Sequence, residues 1–222
     1  MAHILLIETA TNICSVAITH GEEVIATRQS IGEHAAKITI LIAECLAEAH
    51  LKPTQLNAVA VSSGPGSYTS LRVGTSAAKG ICFALDIPLI AVDTLESLAH
   101  AARKTNQADF FAPMIDARRM EVYTKLFDKN IKIISPQEAK IITHESFLEL
   151  LDQHKVVFCG DGAAKCRQII THTNAIFAPN ECHALHLAAL AFDAFTNGQF
   201  ADTAYYTPNY LKPPNITTPK LP

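Results

Sequence analysis

A glycine-rich segment followed by a lysine is the part of the sequence that could bind a phosphate group. Residues 62–85 read SSGPGSYTSLRVGTSAAKGICFAL. In a P-loop, G-x-x-x-x-G-K-[ST], successive backbone N–H groups surround the phosphate while the lysine reaches it. Gly64, Gly66 and Gly74 do not have this spacing, and Lys79 lies about three turns into the following helix. The segment therefore does not have the pattern of a P-loop.

The dinucleotide-binding fingerprint GxGxxG is also incomplete here. Gly64 and Gly66 are followed by Thr69 where the third glycine belongs. The features that remain are general ones: glycines permit a tight turn from strand to helix, Ser67 is a suitable N-cap, and a helix N-terminus carries partial positive charge. We therefore assign Gly64, Gly66 and Ser67 to the loop and helix start, and phosphate binding by this loop alone is the less favoured interpretation.

Few other side chains have spacings that indicate catalysis or metal binding. His34 starts a predicted helix, but Ile38 stands where a second histidine would complete an HxxxH pair. His183 and His186 are three residues apart, yet no third ligand follows at a suitable spacing. We expect packing or surface roles for these histidines.

Two carboxylates at the ends of predicted strands are the remaining candidates. Glu8 and Asp116 occupy matching positions in the two halves of the chain, where such groups could hold a metal ion in a duplicated ATPase fold. Glu8 is one methylene longer than the aspartate that this role prefers, which would displace the ion. We therefore predict no catalytic residue, no metal ion and no cofactor.

The composition is that of a compact globular protein without a strong attraction to polyanions. Apolar residues make up 49% of the 222 residues, and the net charge is −3. The sequence lacks a run of about 18 apolar residues and an export signal, so we expect a soluble, cytoplasmic protein that does not enter a membrane. Any contact with RNA should therefore be local or made by a partner. The six cysteines are scattered without a CxxC pair, which favours reduced, buried thiols over disulfides or zinc.

Hydrophobic patterning predicts the element order βββαβαβα for the first half. The segments ILLIE, CSVAITH and VIATR form a predicted meander, followed by a helix over residues 33–50, the strand NAVAVSS and the helix after Gly66. The strand IPLIAVD and a helix from Thr94 to about Lys104 complete the half, with Thr94 or Asp93 as N-cap.

The second half repeats this pattern. A shift of about 108 residues aligns FAPMIDARRMEVYTKLFDKNIKII with the first meander. It places Ile7 on Ile115, Glu8 on Asp116, Ile18 on Leu126 and Ile25 on Ile133. KVVFCGDG likewise resembles AVAVSSGP. Two matches in the same order favour a duplicated fold, with residues 1–104 as one domain, residues 105–222 as the other and KTNQAD as the linker. The proline-rich tail from Thr207 should lie extended over the surface or fray.

The two long helices each have a second apolar stripe besides the one that suits the sheet. The sheet-facing residues are Ile38, Ile42, Cys45, Leu46 and Ala49 on the first helix and Leu71, Gly74, Ala78, Ile81, Cys82 and Leu85 on the second. The other stripes are Ala36, Ile40, Ala43 and Ala47, and Val73, Ala77, Gly80 and Ala84, with Arg72 and Ser76 beside the latter. These stripes either pack on each other within the chain or meet a partner protein, and a protein interface is the favoured interpretation.

Three segments, ILLIETATNICSVAI, SSGPGSYTSLRVGTSAAKGICFALDIPLIAVDTLESLA and PMIDARRMEVYT, resemble the TsaB family, also called YeaZ, in sequence and order. They cover most of residues 4–124, and the late PNYLK also matches. The resemblance implies an α/β protein with the actin-like ATPase (ASKHA) fold, in which two RNase H-like halves carry mixed sheets flanked by helices.

The resemblance also implies a function. TsaB is the non-catalytic member of the bacterial machinery that makes N6-threonylcarbamoyladenosine beside the anticodon of tRNA. It pairs with its paralogue TsaD, which binds metal and transfers the threonylcarbamoyl group, and the ATPase TsaE joins the assembly. The family's pairing surface falls on the two helices with the extra stripes. We expect a homodimer through the same helices when TsaD is absent.

The sequence departs from the family pattern at two positions. Ser70 replaces a glycine, and Glu8 replaces an aspartate, which weakens a metal site further. Ile38 stands where the catalytic paralogue has its second metal histidine. Two other classes of protein, an active kinase of the same fold and a metallopeptidase, are the alternatives to this interpretation. A sugar or acetate kinase needs two phosphate loops and a catalytic aspartate, and a metallopeptidase needs a zinc triad; the sequence supplies neither set.

Overall fold

Two five-stranded mixed sheets form the framework of the protein in the computed structural model, which describes residues 1–212. In the first sheet the strand order is β3-β2-β1-β4-β5. Its strands are β1 (His3–Glu8), β2 (Ile13–His20), β3 (Glu23–Ile31), β4 (Ala58–Ser62) and β5 (Leu89–Val92). The meander β1–β3 is antiparallel, whereas β1, β4 and β5 are parallel.

The second sheet has the order β10-β9-β6-β7-β8, which is the order of the first sheet read from the other edge. Its strands are β6 (Phe110–Asp116), β7 (Glu121–Asp128), β8 (Ile133–Ile141), β9 (Val156–Cys159) and β10 (Ala175–Phe177). The helices are α1 (His34–Glu48), α2 (Tyr68–Leu85), α3 (Thr94–Thr105), α4 (Leu148–Leu151), α5 (Asp161–Cys166) and α6 (Ala188–Thr196), with 3₁₀ helices at Pro53–Gln55 and Ala184–Leu187.

The nearly continuous apolar run of β1 arises because both faces of the first sheet are covered. Leu5 and Ile7 point to the core beneath α1 and α2, whereas Ile4 and Leu6 point to the core beneath α6. All four are fully buried. A strand covered on both sides loses the alternation of apolar and polar residues that marks a half-exposed strand.

The duplication predicted from the sequence is confirmed by the matching sheets, but the uniform shift of residues is wrong beyond the first strand. Ile7 pairs with Val16, whereas its counterpart Ile115 pairs with Tyr123, so the second hairpin is one residue shorter. Irregularities in β7 add to the drift. The matches of Ile18 with Leu126 and of Ile25 with Ile133 therefore do not join equivalent register positions.

Helices from each half pack on the sheet of the other half. Leu95 and Leu98 of α3 share a core with Phe111 of the second sheet. Leu187 and Ala191, near the end of the described chain, share a core with Ile4 of the first sheet. Because α3 and α6 each pack on the sheet of the opposite half, the two halves do not form separate cores. The division into residues 1–104 and 105–222 therefore stays a prediction.

Taken together, two related mixed sheets with flanking helices form the actin-like ATPase fold with RNase H-like halves, as the sequence predicted.

The glycine at the end of the central parallel strand recurs in both halves. Gly64 has φ +96° and Gly160 has φ +94°. A side chain at either position would also meet a main-chain oxygen, that of Asn209 at 2.8 Å or that of Met114 at 2.3 Å, so the strand-to-helix turn requires glycine twice.

Candidate docking face

The outer side of α1 is exposed and carries small or apolar side chains. The inner side buries Ile38, Leu41, Ile42, Cys45 and Leu46. The outward stripe of Ala36, Ile40, Ala43 and Ala47 is exposed along its whole length, and Ile40 has 49% of its surface accessible. An amphipathic helix normally places polar side chains on this side. The placement of these four residues on the outer side agrees with the sequence analysis.

Helix α2 lies close to the first sheet because glycine stands at one contact point. A Cβ atom on Gly74 would lie 2.3 Å from the Thr9 hydroxyl oxygen. The buried residues of this helix are Leu71, Gly74, Thr75, Ala78 and Cys82, whereas Ile81 and Leu85 are partly buried. The sheet-facing side is therefore the predicted one, with Thr75 added to it.

The predicted outward stripe of α2 is divided in the structure. Val73 and Ala77 are partly buried and pack on the core that contains Ile38 and Ile42 of α1. Only Gly80 and Ala84 are fully on the outside, together with the exposed polar residues Arg72 and Ser76. Val73 and Ala77 are less exposed than the rest of the predicted stripe because the two helices meet there, but both line an open groove, and their place in an interface stays a prediction.

An exposed aromatic residue that the sequence analysis left out lies beside Gly80 and Ala84. Phe83 has 88% of its surface accessible to solvent. It lies three residues after Gly80, on the same side of the helix. Helical periodicity alone places Phe83 beside Gly80 and Ala84, but a stripe defined by small residues does not include it. We call the exposed residues Ala36, Ile40, Ala43, Ala47, Gly80, Phe83 and Ala84 the docking face.

A groove of about 560 Å³ runs between α1 and α2 next to the docking face. It is lined by Ala35, Ile38 and Thr39 of α1 and by Tyr68, Thr69, Arg72, Val73, Ser76 and Ala77 of α2. The half-buried Val73 and Ala77 form its floor with Ile38. The groove therefore lies between the two helices that carry the docking face.

The glycine loop before α2 is closed by packing. A Cβ atom on Gly66 would lie 2.4 Å from the carbonyl oxygen of Ala10, and the Ser67 N–H donates to that same oxygen at 2.7 Å. Ser67 caps the helix by accepting a hydrogen bond from the Ser70 N–H at 3.4 Å, as predicted. The Ser70 hydroxyl lies 2.9 Å from that of Ser67, so the serine is accommodated within the cap.

The chain returns over α2 in residues 201–212, which we call the C-terminal segment. The Lys79 ammonium donates hydrogen bonds to the carbonyl oxygens of Ala204 at 3.0 Å and Tyr206 at 3.2 Å. The Asn209 N–H donates to the Ser63 carbonyl at 2.7 Å. Lys79 is therefore held by the C-terminal segment and does not approach the glycine loop. The part of the predicted extended tail from Thr207 to Lys212 does lie over the surface; Pro213, Pro214, Pro219 and Pro222 lie outside the described residues.

A tilted aromatic contact joins the C-terminal segment to the start of α2. The rings of Tyr68 and Tyr210 have centroids 4.5 Å apart, and the Arg72 guanidinium lies 4.1 Å from the Tyr68 centroid. Arg72 also donates to the Tyr210 hydroxyl at 3.3 Å. The Lys212 ammonium pairs with Glu121 of the second sheet at 2.5 Å. The segment thus spans from α2 to the other half of the protein.

A cleft of about 640 Å³ lies between the halves, in front of the α2 N-terminus. Asp116 and Asp161 line it, but both are engaged: Asp116 pairs with Lys165, and Asp161 accepts a hydrogen bond from the Asp116 N–H at 3.0 Å. His34 lines it too, while Ile38 is buried in the core at 3% exposure. Within residues 1–212, no group of three or more metal-ligating side chains comes together.

Glu8, the other predicted carboxylate, lies inside the protein. Its side chain is fully buried, and one oxygen accepts a hydrogen bond from the Ala10 N–H at 2.7 Å. The other oxygen has no hydrogen-bond partner among the described residues. Burial raises the pKa of Glu8 from 4.5 to about 7. Glu8 does not line the cleft, but Asp161, which does, lies near enough for its charge to raise the pKa of Glu8 further.

The predicted histidine pair is half-buried, and the cysteines are buried. The rings of His183 and His186 have centroids 6.1 Å apart, and burial lowers the pKa of His186 to about 4. All six cysteines are buried and free, as the sequence predicted. Among residues 1–212, no helix has both the length and the apolar composition needed to cross a bilayer.

Known proteins resemble this chain along nearly its full length. The family model of TsaD, tRNA N6-adenosine threonylcarbamoyltransferase, matches residues 24–218. The tRNA threonylcarbamoyladenosine biosynthesis protein TsaB of Escherichia coli (strain K12) is 30% identical over 99% of this chain and 98% of its own length. Its counterpart in Haemophilus influenzae is 38% identical over 54% of this chain, and the chain spans about half, 51%, of that protein.

The solved structure of YeaZ from Pseudomonas aeruginosa superposes with a TM-score of 0.80 at 25% identity. It covers 95% of this chain and all of that one. The shared fold and the end-to-end match to a TsaB protein lead to one conclusion: the chain belongs to the TsaB (YeaZ) family, within the wider group of proteins related to TsaD.

Proposed function

We propose that this protein is a non-catalytic subunit of the complex that forms N6-threonylcarbamoyladenosine in tRNA beside the anticodon, and that it docks TsaD through α1 and α2. The observation that carries the proposal is the docking face. It places Ile40 and Phe83, at 49% and 88% exposure, among exposed alanines and a glycine on two adjacent helices. Large exposed apolar side chains grouped with small ones on neighbouring helices are typical of a protein interface.

The small residues of the docking face support helix-to-helix contact. Ala43 and Ala47 on α1 and Gly80 on α2 have side chains that allow another helix to approach closely. Nothing lies within 4 Å of a Cβ atom built on Gly80, so this position is open to a partner. Phe83 supplies the large apolar side chain that dominates binding energy in most interfaces.

The role of a supporting subunit rests on the state of the candidate catalytic groups. The Asp116 carboxylate is paired with Lys165, Glu8 is buried away from the cleft, and Ile38 is part of the core. Lys79 is bonded to the C-terminal segment. We infer that the chain contributes no catalytic group, and that TsaD carries out the transfer.

The wider assembly follows from the same family membership. TsaE joins the complex of the two paralogues, contact of this subunit with tRNA is indirect or weak, and the complex works in the cytoplasm. When TsaD is absent, the docking face pairs with that of a second copy, because a paralogue's surface is similar to the protein's own.

Co-expression with TsaD of the same organism tests the proposal. Gly80→Arg and Ala43→Arg each place a long charged side chain on the docking face, which must lose water on docking without an ionic partner. We expect each variant to fold but to lose at least about a hundredfold in affinity for TsaD. Gly80→Ala and Ala43→Ser are the matched controls and should still co-purify.

Ala77 is not a suitable position for this charge. Ala77 is half-buried between α1 and α2, so arginine there would disturb folding and docking together. Full-strength binding of TsaD by both arginine variants would show that the docking face is not the interface. Turnover of threonylcarbamoyl-AMP onto tRNA by the purified chain alone would refute the non-catalytic role.

A further inference from the structure

Two histidines lie side by side at the end of the first sheet that is remote from the cleft and from the start of α2. His3 on β1 and His20 on β2 are direct partners in the antiparallel register. The Nε2 atom of His3 lies 3.0 Å from the Nδ1 atom of His20, and the ring centroids are 4.8 Å apart at an angle of 56°. Each ring is half-buried, so each also reaches solvent.

The backbone on either side of this pair is fixed. The His3 N–H donates to the side-chain oxygen of Asn57 at 2.7 Å, and the Asn57 N–H donates to the His3 carbonyl at 2.8 Å. Beyond His20, the Gly21 N–H donates to the Ala2 carbonyl at 2.8 Å. The two imidazoles are therefore presented by rigid strands, which makes their separation a stable feature of the fold.

We propose that His3 and His20 bind a divalent transition-metal cation, with Zn²⁺, Ni²⁺ and Cu²⁺ as the chemical class. Imidazole nitrogens bind such ions at about 2.0–2.1 Å. Two nitrogens 3.0 Å apart are close to the separation that one ion between them requires. Without metal the two nitrogens face each other across a hydrogen bond, so both rings must turn about their side-chain torsions to direct their lone pairs at one ion.

Water fills the remaining coordination positions. Residues 1–212 contain no ready group of three or more ligating side chains, so the site is one of two protein ligands. Glu23 on β3 is the direct register partner of His20, and Glu22 lies in the intervening turn. These exposed carboxylates favour a cation and are placed to accept hydrogen bonds from metal-bound water. An imidazole pair selects transition metals over Mg²⁺ and Ca²⁺, which prefer oxygen ligands.

The second histidine pair of the protein is the natural comparison. The rings of His183 and His186 have centroids 6.1 Å apart, and His183 Nδ1 accepts a hydrogen bond from the Leu185 N–H at 3.2 Å. One nitrogen of that pair is thus already engaged, and the wider separation leaves no position equally close to both rings. We expect the metal to select His3 and His20.

The experiment is a calorimetric titration of the metal-stripped, full-length protein with ZnCl₂ in a non-chelating buffer. His3→Gln and His20→Gln should each weaken zinc binding at least tenfold, and the double variant should abolish it because both rings serve one ion. His183→Gln and His144→Gln are the controls and should bind as the parent does. Melting of each metal-free variant checks that the fold is retained.

A second measurement reports the ligands directly. With one equivalent of Cu²⁺, the parent should give an electron paramagnetic resonance spectrum with two coupled imidazole nitrogens, and His20→Gln should give one or none. Zinc affinity of His20→Gln within threefold of the parent value would overturn the proposal. So would loss of binding in His183→Gln alone, which would place the metal at the other pair.

Discussion

The Lys79 ammonium donates a hydrogen bond to the main-chain carbonyl of Tyr206 at 3.2 Å, although 127 positions separate the two residues. A second hydrogen bond runs from the same ammonium to the main-chain carbonyl of Ala204 at 3.0 Å. Lys79 therefore holds the C-terminal segment on α2. The sequence places Lys79 after a glycine-rich segment, where a phosphate-binding lysine would be sought, but in the structure its role is to hold the C-terminal segment. Lys79 thereby positions the C-terminal segment. Tyr210 of that segment contacts Tyr68, at the start of the same helix, with tilted rings.

Replacement of Lys79 by methionine should loosen the C-terminal segment. The change keeps most of the aliphatic stem but removes two charge-assisted hydrogen bonds, so the free energy of unfolding should fall by about 1–3 kcal/mol. Urea unfolding measures the loss, and amide hydrogen exchange of residues 201–212 should rise most. Lys129→Met, on an exposed turn without such bonds, is the control. An unchanged amide exchange rate in residues 201–212 would show that Lys79 does not hold the C-terminal segment.

Glu8→Gln should change how stability depends on pH. Because burial raises the pKa of Glu8 to about 7 from 4.5, the folded protein keeps this proton at pH values where the unfolded chain has released it. The extra proton held by Glu8 in the folded state therefore stabilises the fold at low pH. This contribution is complete below about pH 4.5 and is lost as the pH rises to about 7.

The glutamine variant cannot lose that proton, so its stability relative to the parent should rise by about 2–3 kcal/mol between pH 5 and pH 8. Thermal or urea unfolding of both proteins across this range gives the difference curve, in which the other titrating groups cancel. A flat difference would mean that Glu8 has an ordinary pKa in the folded protein.

Two glycines of α2 should respond in opposite directions to alanine. At Gly80 a Cβ atom meets nothing within 4 Å, so Gly80→Ala should stabilise the protein by about 0.5–1 kcal/mol through helix propensity. At Gly74 the new atom would lie 2.3 Å from the Thr9 hydroxyl oxygen, so Gly74→Ala should destabilise it. Chemical denaturation of both variants tests the pair, and a gain at Gly74 would mean that α2 can move away from β1.

Phe83→Asp should weaken both self-association and binding of TsaD. The phenyl ring is 88% exposed, so its loss should leave the melting temperature of the monomer almost unchanged. Binding should fall at least about tenfold, because a buried aromatic contact is replaced by a charge that must lose its water. Light scattering and co-purification measure the two effects.

Tyr205→Asp is the matched control, since this ring is 86% exposed but lies on the C-terminal segment and outside the docking face. It should bind like the parent. If Tyr205→Asp weakens binding while Phe83→Asp does not, the partner covers the C-terminal segment instead.

The features that the sequence determined by itself are those set by neighbours along the chain. The periodicity of β1–β5 and of α1–α3, the cap at Ser67 and the repeat of strand–glycine–helix units each depend on residues a few positions apart. The outward position of Ala36, Ile40, Ala43 and Ala47 also followed from helical geometry, because the opposite side of α1 has the larger apolar residues.

The tertiary structure decided whatever depends on residues far apart in sequence. It determined that Val73 and Ala77 meet α1, that α3 and α6 cover the sheets of the opposite halves, and that Glu8 is buried while Asp116 finds Lys165. Periodicity gives the direction in which a side chain points from its own helix or strand. It does not give what lies in that direction, because the packing of distant segments is selected by the burial of the whole apolar surface at once.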